Sequence, residues 1–145
     1  MTTIPPVRRF AVSLAAVVLA ALLLHGQVAT ALVTRGDDLL RAGDIDGAIR
    51  AYERATRLDA VSPAAYDRLA FYLLLRRHDG DTMRAWRIAD AALARRPGDP
   101  ALLADRGFAS LRLHRYERAA RDFAAAGVLG HDARYARLGR RLAQR

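Results

Sequence analysis

The sequence predicts an all-α fold: a solenoid of three helix hairpins, preceded by an apolar helix and closed by a short capping helix. Three observations predict it. A trio of residues at +4, +3 spacing recurs as Ala48–Tyr52–Ala55, Ala85–Ala89–Ala92 and Ala119–Phe123–Ala126, and that spacing puts each trio on one helix face. A second trio precedes each of these: Leu32–Gly36–Leu39, Tyr66–Ala70–Leu73 and Leu103–Gly107–Ser110. The copies lie 34 or 37 residues apart, and one three-residue insertion between Leu73 and Ala85 reconciles every offset. A helix pair repeated at this period cannot bury its apolar face alone and must stack on its neighbours.

The first thirty residues form a separate element. Arg8 and Arg9 are followed by an apolar run from Phe10 to Leu24, interrupted only by Ser13; apolar residues resume after Gln27 and continue to Val33. Fifteen helical residues reach roughly 22 Å, short of the roughly 30 Å hydrocarbon core of a bilayer. A full span therefore has to use the stretch to Val33. Two readings stay open: a signal-anchor or transmembrane helix over residues 1–28, or a signal peptide cleaved near Ala31, where Ala29-Thr30-Ala31 supplies small residues. Both place the following domain outside the cytoplasm, and the Arg pair in a short acid-free tail favours a cytoplasmic N-terminus. Arginine supplies all the Lys+Arg total, and with the many alanines this suggests a high-G+C bacterial genome. The expected location is the bacterial cytoplasmic membrane as a single-pass protein with extracytoplasmic repeats; the alternative is periplasmic or secreted.

The repeats follow over 29–62, 63–99 and 100–133, and a basic capping segment over 134–145. Ser62-Pro63 and Asp99-Pro100 each offer an N-cap followed by proline at the first helical position. Asp44 and Asp81 are expected to cap the second helices of repeats one and two, and Asp132 a last helix over 133–143. Tyr135, Leu138 and Leu142 share one face of that helix, which is expected to seal the exposed end of repeat three.

These residues resemble the tetratricopeptide repeat (TPR) family. The resemblance rests on the small residue in the first helix (Gly36, Ala70, Gly107), the Ala–aromatic–Ala second helix, and Pro97 near a repeat boundary. Departures are Ala89 in place of a large residue, Ser110 in place of an apolar one, and Ala60 and His131 in place of proline. The resemblance implies a right-handed solenoid, a non-enzymatic role in protein binding, and a concave surface lined by the first helix of each repeat. It also explains the alanines: Gly36 or Ala48 lets two helices approach, and Tyr52 fills the space beside the crossing.

On the concave surface the middle repeat reads LAFYLLL over 69–75, and a helix that is apolar all round needs cover. The expected groove is Leu40, Phe71, Leu74, Leu75, Phe108 and Leu111, bordered by Arg41, Arg68 and Arg112. An apolar patch of this kind marks a binding surface, and an amphipathic helix or extended peptide of a protein partner fits it. Cover by the capping helix, the leader or a second copy is the alternative. The family's carboxylate-gripping members use basic and amide residues where this chain has Val33, Asp37, Arg68, Ala101 and Asp105, so acidic chaperone tails do not fit.

The net charge of +9 is concentrated at the end, where residues 134–145 carry five Arg and no acid. Arg134, Arg137 and Arg141 form a stripe that could meet anionic head groups or an acidic partner, or simply be a solvated face. Nucleic-acid binding needs interleaved aromatics or a known module, and neither is present. No cofactor or metal is expected. There is no cysteine, the four histidines are scattered, and His78-Asp79-Gly80-Asp81 has the residues of a tight turn. No nucleophile motif or phosphate loop occurs, so an enzyme is not expected. The chain reads as an adaptor scaffold, as an accessory subunit of a larger membrane assembly, or as a periplasmic carrier.

Overall fold

A computed structural model describes residues 6–58, 62–130 and 132–144, with side chains from Gly26 onward and at Ala16, Ala20 and Leu24 before it. The described residues form seven helices: α1 (Pro6–Arg41), α2 (Ile45–Leu58), α3 (Pro63–Arg76), α4 (Asp81–Leu93), α5 (Pro100–Arg112), α6 (Tyr116–Leu129) and α7 (Ala133–Ala143). Consecutive helices pack as hairpins. In addition α3 packs on α5, and α1 touches α3. The even-numbered helices make at most marginal contact with one another. Among the odd-numbered helices α3 packs on α5 and α1 meets α3, so these three lie on the inner side, while α2, α4 and α6 lie outward and α7 packs on α6.

α1 is one helix of 36 residues and runs through the expected boundary at residue 28 without a break. Gly26 alone does not interrupt it, since glycine in a helix costs only about 1 kcal/mol. The hydroxyls of Thr30 and Thr34 donate to the carbonyls of Gly26 and Thr30, so they do not compete with the helix. Most side chains of the apolar run Phe10–Leu24 lie outside the described residues. Among the described residues, no helix is long and apolar enough to cross a membrane.

The repeated trios form the core. Ala48, Tyr52, Ala55, Ala70, Leu73, Ala85, Ala89, Ala119, Phe123, Ala126 and Ser110 are fully buried, and Ala92 and Leu103 nearly so. A Cβ added to Gly36 would lie 2.4 Å from the Tyr52 ring, and one added to Gly107 would lie 2.9 Å from the Phe123 ring. Glycine and ring are thus a matched pair. In repeat two the pair is Ala70 and Ala89: the ring is gone and the first helix keeps its Cβ. We expect Gly36→Ala to destabilise by about 1–3 kcal/mol through overpacking. In a Tyr52→Ala background the same change should cost little, and a double-mutant thermal-melt cycle measures the coupling.

The predicted insertion is spread over three places. Taking the small residue and the following alanine as markers, α3 is one residue longer than α1 or α5 at its end, the α3–α4 connection is one longer, and α4 is one longer at its start. The turn is clipped by Asp81, which is buried, accepts from the His78 amide at 3.0 Å, and takes two bonds from Arg76 at 2.8 and 2.7 Å. Asp81 is therefore not the cap of α4; the cap position is Gly80 in a left-handed conformation with φ 80°. Arg76 also donates to Asp46 at 2.7 Å, joining α2, α3 and α4. Arg106 does the same job one repeat on, gripping Asp122 at 2.9 and 2.7 Å and Asp90 at 2.7 Å.

The other caps divide. Asp44 accepts from the Gly47 amide at 2.7 Å, Asp99 from Ala101 and Leu102, and Asp132 from Arg134. Ser62 makes no side-chain cap bond, and Pro63 alone starts α3. α7 spans the expected residues, buries Leu142, and packs Tyr135 and Leu138 against Ala119, Ala120 and Phe123. Its closest approach to α6 was not anticipated. A Cβ on Gly127 would lie 2.3 Å from the Ala136 nitrogen, and one on Gly139 would lie 2.7 Å from the Ala124 nitrogen.

Candidate functional site

Helices α3 and α5 carry exposed apolar side chains. Phe71 is 49%, Leu75 53% and Phe108 37% exposed. Phe71 and Leu75 stand one turn apart on α3, and Phe108 occupies the place on α5 equivalent to Phe71. The rings are held from behind. Phe108 meets Phe123 edge-on at 4.9 Å and Tyr135 at 6.1 Å, and Phe71 meets Tyr72 edge-on at 5.1 Å. These side chains are apolar and open to solvent.

One of the expected groove residues is core, and two more are partly buried. Leu74 is only 5% exposed: it follows Ala70 by one turn and joins the same core cluster as Ala70, Leu73 and Ala109. Leu40 is half-buried against that cluster. Leu111 is partly buried and packs against the cluster of Ala119, Ala120, Phe123 and Leu142. The most exposed of the expected apolar residues are therefore Phe71, Leu75 and Phe108.

The bordering arginines are already engaged. Arg41 pairs with Asp38. Arg68 pairs with Asp37 at 3.2 Å, and Asp37 also accepts from the Tyr52 hydroxyl at 2.6 Å. Burial and the Asp37 acceptor raise the Tyr52 phenol above its ordinary range. Arg112 donates to the Leu74 carbonyl near the end of α3, where the helix presents partial negative charge. Burial, with Arg77 nearby, lowers its affinity for its proton.

One acid has no such partner. Asp105 is 5% exposed, and its Oδ2 has no hydrogen-bond partner among the described residues. Burial, then the charges of Asp67 and Asp99, push its carboxyl up to about 8. Burial likewise raises Asp67. Asp105 precedes Phe108 by three positions, and Asp67 precedes Phe71 by four, so each acid stands beside an exposed ring. The sequence drew notice to Asp105 only as a departure from a basic pattern.

At the C-terminal end, Arg134 is occupied by Asp132 at 2.8 Å, which holds that carboxyl down at about 2. Arg137 and Arg141 are exposed, with no ion pair among the described residues. A second basic surface went unread in the sequence. Arg115 and Arg118 lie 4.9 and 5.2 Å from the Trp86 ring centre, a cation–π arrangement. They open onto a shallow cavity of about 670 Å³ with His114, Tyr116, Arg121 and one acid, Glu117. The Arg115, Arg118, Arg121 spacing was the available signal. Among the described residues, no group of three His, Cys, Asp or Glu could hold a metal ion.

No family model matches the chain, and no curated protein matches it. Solved structures do. The first TPR of Spaghetti (RPAP3) bound to the HSP90 peptide SRMEEVD has a TM-score of 0.73 at 21% identity, over 82% of this chain and 93% of that one. The Arabidopsis OM64 TPR domain has a TM-score of 0.73 at 21% identity, over 83% and 98%. The first TPR domain of human RPAP3 has a TM-score of 0.71 at 20% identity, over 82% and 92%. At these identities the likeness establishes a TPR-like fold.

Proposed function

We propose that this protein is a non-enzymatic interaction scaffold that takes a helix or peptide of a membrane-associated partner on the inner face of α3 and α5. The observation carrying this reading is the exposure of Phe71, Leu75 and Phe108 on α3 and α5. Burying such side chains is worth about 25 cal/mol per Å². A TPR of similar fold holds a peptide, which supports a peptide here. The engaged arginines argue for a different ligand from an acidic tail. The apolar leader after Arg8 and Arg9 supports tethering to the bacterial cytoplasmic membrane, with the repeats outside the cytoplasm; a cleaved leader would make the same scaffold periplasmic. Tethering raises the groove's effective concentration at that surface.

Val128 and Leu129, 70% and 50% exposed at the end of α6, favour a second reading, an accessory subunit held at more than one face. Crosslinking and pull-down of the intact protein in mild detergent, against Phe71→Asp/Phe108→Asp, tests the first. We expect the scaffold to lose its partner in that variant. An accessory subunit held by its leader and by α6 would stay assembled. Membrane fractionation with N-terminal sequencing tests the tether.

A further inference from the structure

We propose that the groove selects a partner segment carrying a lysine or arginine within an apolar stretch, and that Asp105, with Asp67 beside it, receives that cation. The inference rests on the groove reading above and adds the partner's chemistry. It comes from an imbalance in the site. The inner-face cations are spoken for: Arg41 by Asp38, Arg68 by Asp37, and Arg112 by the Leu74 carbonyl. The group left over is an acid. Asp105 is more than nine-tenths buried and its Oδ2 is unpartnered. Neither Asp105 nor Asp67 has an ion-pair partner among the described residues. A buried polar atom without a partner is costly and calls for an account.

The surroundings suit a long cationic side chain. Lys and Arg have apolar stems that lie along hydrophobic surface while the head reaches a polar group. Phe71 and Phe108 offer that surface, and their faces attract a cation. Asp105 lies between buried Leu102 and Ala109 on one side of α5 and exposed Ala101 and Phe108 on the other, near enough to Asp67 of α3 to feel its charge. A neutral or acidic residue at the same place would leave the carboxyl unmatched or add repulsion, which provides selectivity against such partners.

The test is selection from a random peptide-display library on the immobilised intact protein in mild detergent with EDTA. Binders are then measured against wild type, Asp105→Asn and Phe71→Asp/Phe108→Asp. Melts of each variant confirm folding, and Asp105→Asn is expected to be at least as stable as wild type at neutral pH. We expect the enriched peptides to share one Lys or Arg flanked by apolar residues, and Asp105→Asn to weaken them by about 30-fold or more. Replacing the peptide's cation by glutamine should weaken binding to wild type but little to Asp105→Asn. Apolar peptides with no enriched cation, or binding unchanged in Asp105→Asn, overturn this inference and leave the groove intact. Binding unchanged in Phe71→Asp/Phe108→Asp, or no enriched peptide, overturns the groove reading itself. Without EDTA, saturable Mg²⁺ or Ca²⁺ binding that Asp105→Asn abolishes would assign the acids to a metal and also overturn the inference.

Discussion

Gly127→Ala and Gly139→Ala should each release α7 from the end of the solenoid. A Cβ at Gly127 would lie 2.3 Å from the Ala136 nitrogen and 2.7 Å from its Cα; a Cβ at Gly139 would lie 2.7 Å from the Ala124 nitrogen and 2.9 Å from the Ala120 carbonyl oxygen. These neighbours are backbone, so no rotamer change relieves the clash, and the helices must move apart. Alanine for glycine gains up to about 1 kcal/mol of helix propensity. Overpacking costs about 1–3 kcal/mol, and separation also uncovers Leu142, Tyr135 and the Phe123 side of the core. The net effect is destabilising. Limited trypsin digestion reads it directly, because α7 carries Arg137, Arg140 and Arg141. We expect these sites to be protected in wild type and cut early in either variant, with a lower melting temperature. Unchanged protection would mean that α7 is not docked as described.

The second large effect concerns Asp105. Its carboxyl is pushed up to about 8 in the folded chain, by burial first and then by Asp67 and Asp99, against about 3.9 when unfolded. The folded state therefore holds a proton that the unfolded state releases between those values. Stability from this group is fully present below about pH 4, falls as pH rises, and is lost above about 8. The slope is at most about 1.4 kcal/mol per pH unit, and water reaching the site will reduce it. Asp105→Asn mimics the neutral form at every pH. We expect wild type and variant to match closely at pH 4 and the variant to be more stable at pH 8.5, by a few kcal/mol, in urea unfolding. Parallel stabilities across that range would show that Asp105 is not buried as described.

The repeat architecture could be read from the sequence because it depends on spacing. Gly36, Tyr52, Gly107 and Phe123 are small and large residues at fixed offsets, and their packing follows from helix periodicity alone. The same logic placed α7, since its N-cap and apolar face are local signals. What depends on which neighbour lies on which side was harder to see. Leu74 and Leu75 are adjacent in a run of leucines, yet one is core and the other surface; only the crossing of α3 and α5 separates them. Asp81 looks like a cap in the sequence, but Arg76 claims it because the inserted residues bring the two together. Gly127 and Gly139 lie outside the repeat's small-residue positions seen in the earlier copies, so the closest helix contact gave no periodic signal. Asp105 is one polar residue among apolar ones, and its lack of a partner emerges only when Arg41, Arg68 and Arg112 are found engaged elsewhere.

The central claim is that another protein covers the apolar inner face of α3 and α5. Site-specific photocrosslinking in the native cells tests it most directly, with a benzoylphenylalanine at Leu75 on that face and, in a separate variant, at exposed Arg87 on the even-numbered α4. The account predicts discrete adducts to a different protein from position 75 and none of those adducts from position 87. No adduct from position 75, or an adduct only to a second copy of this chain, would contradict it.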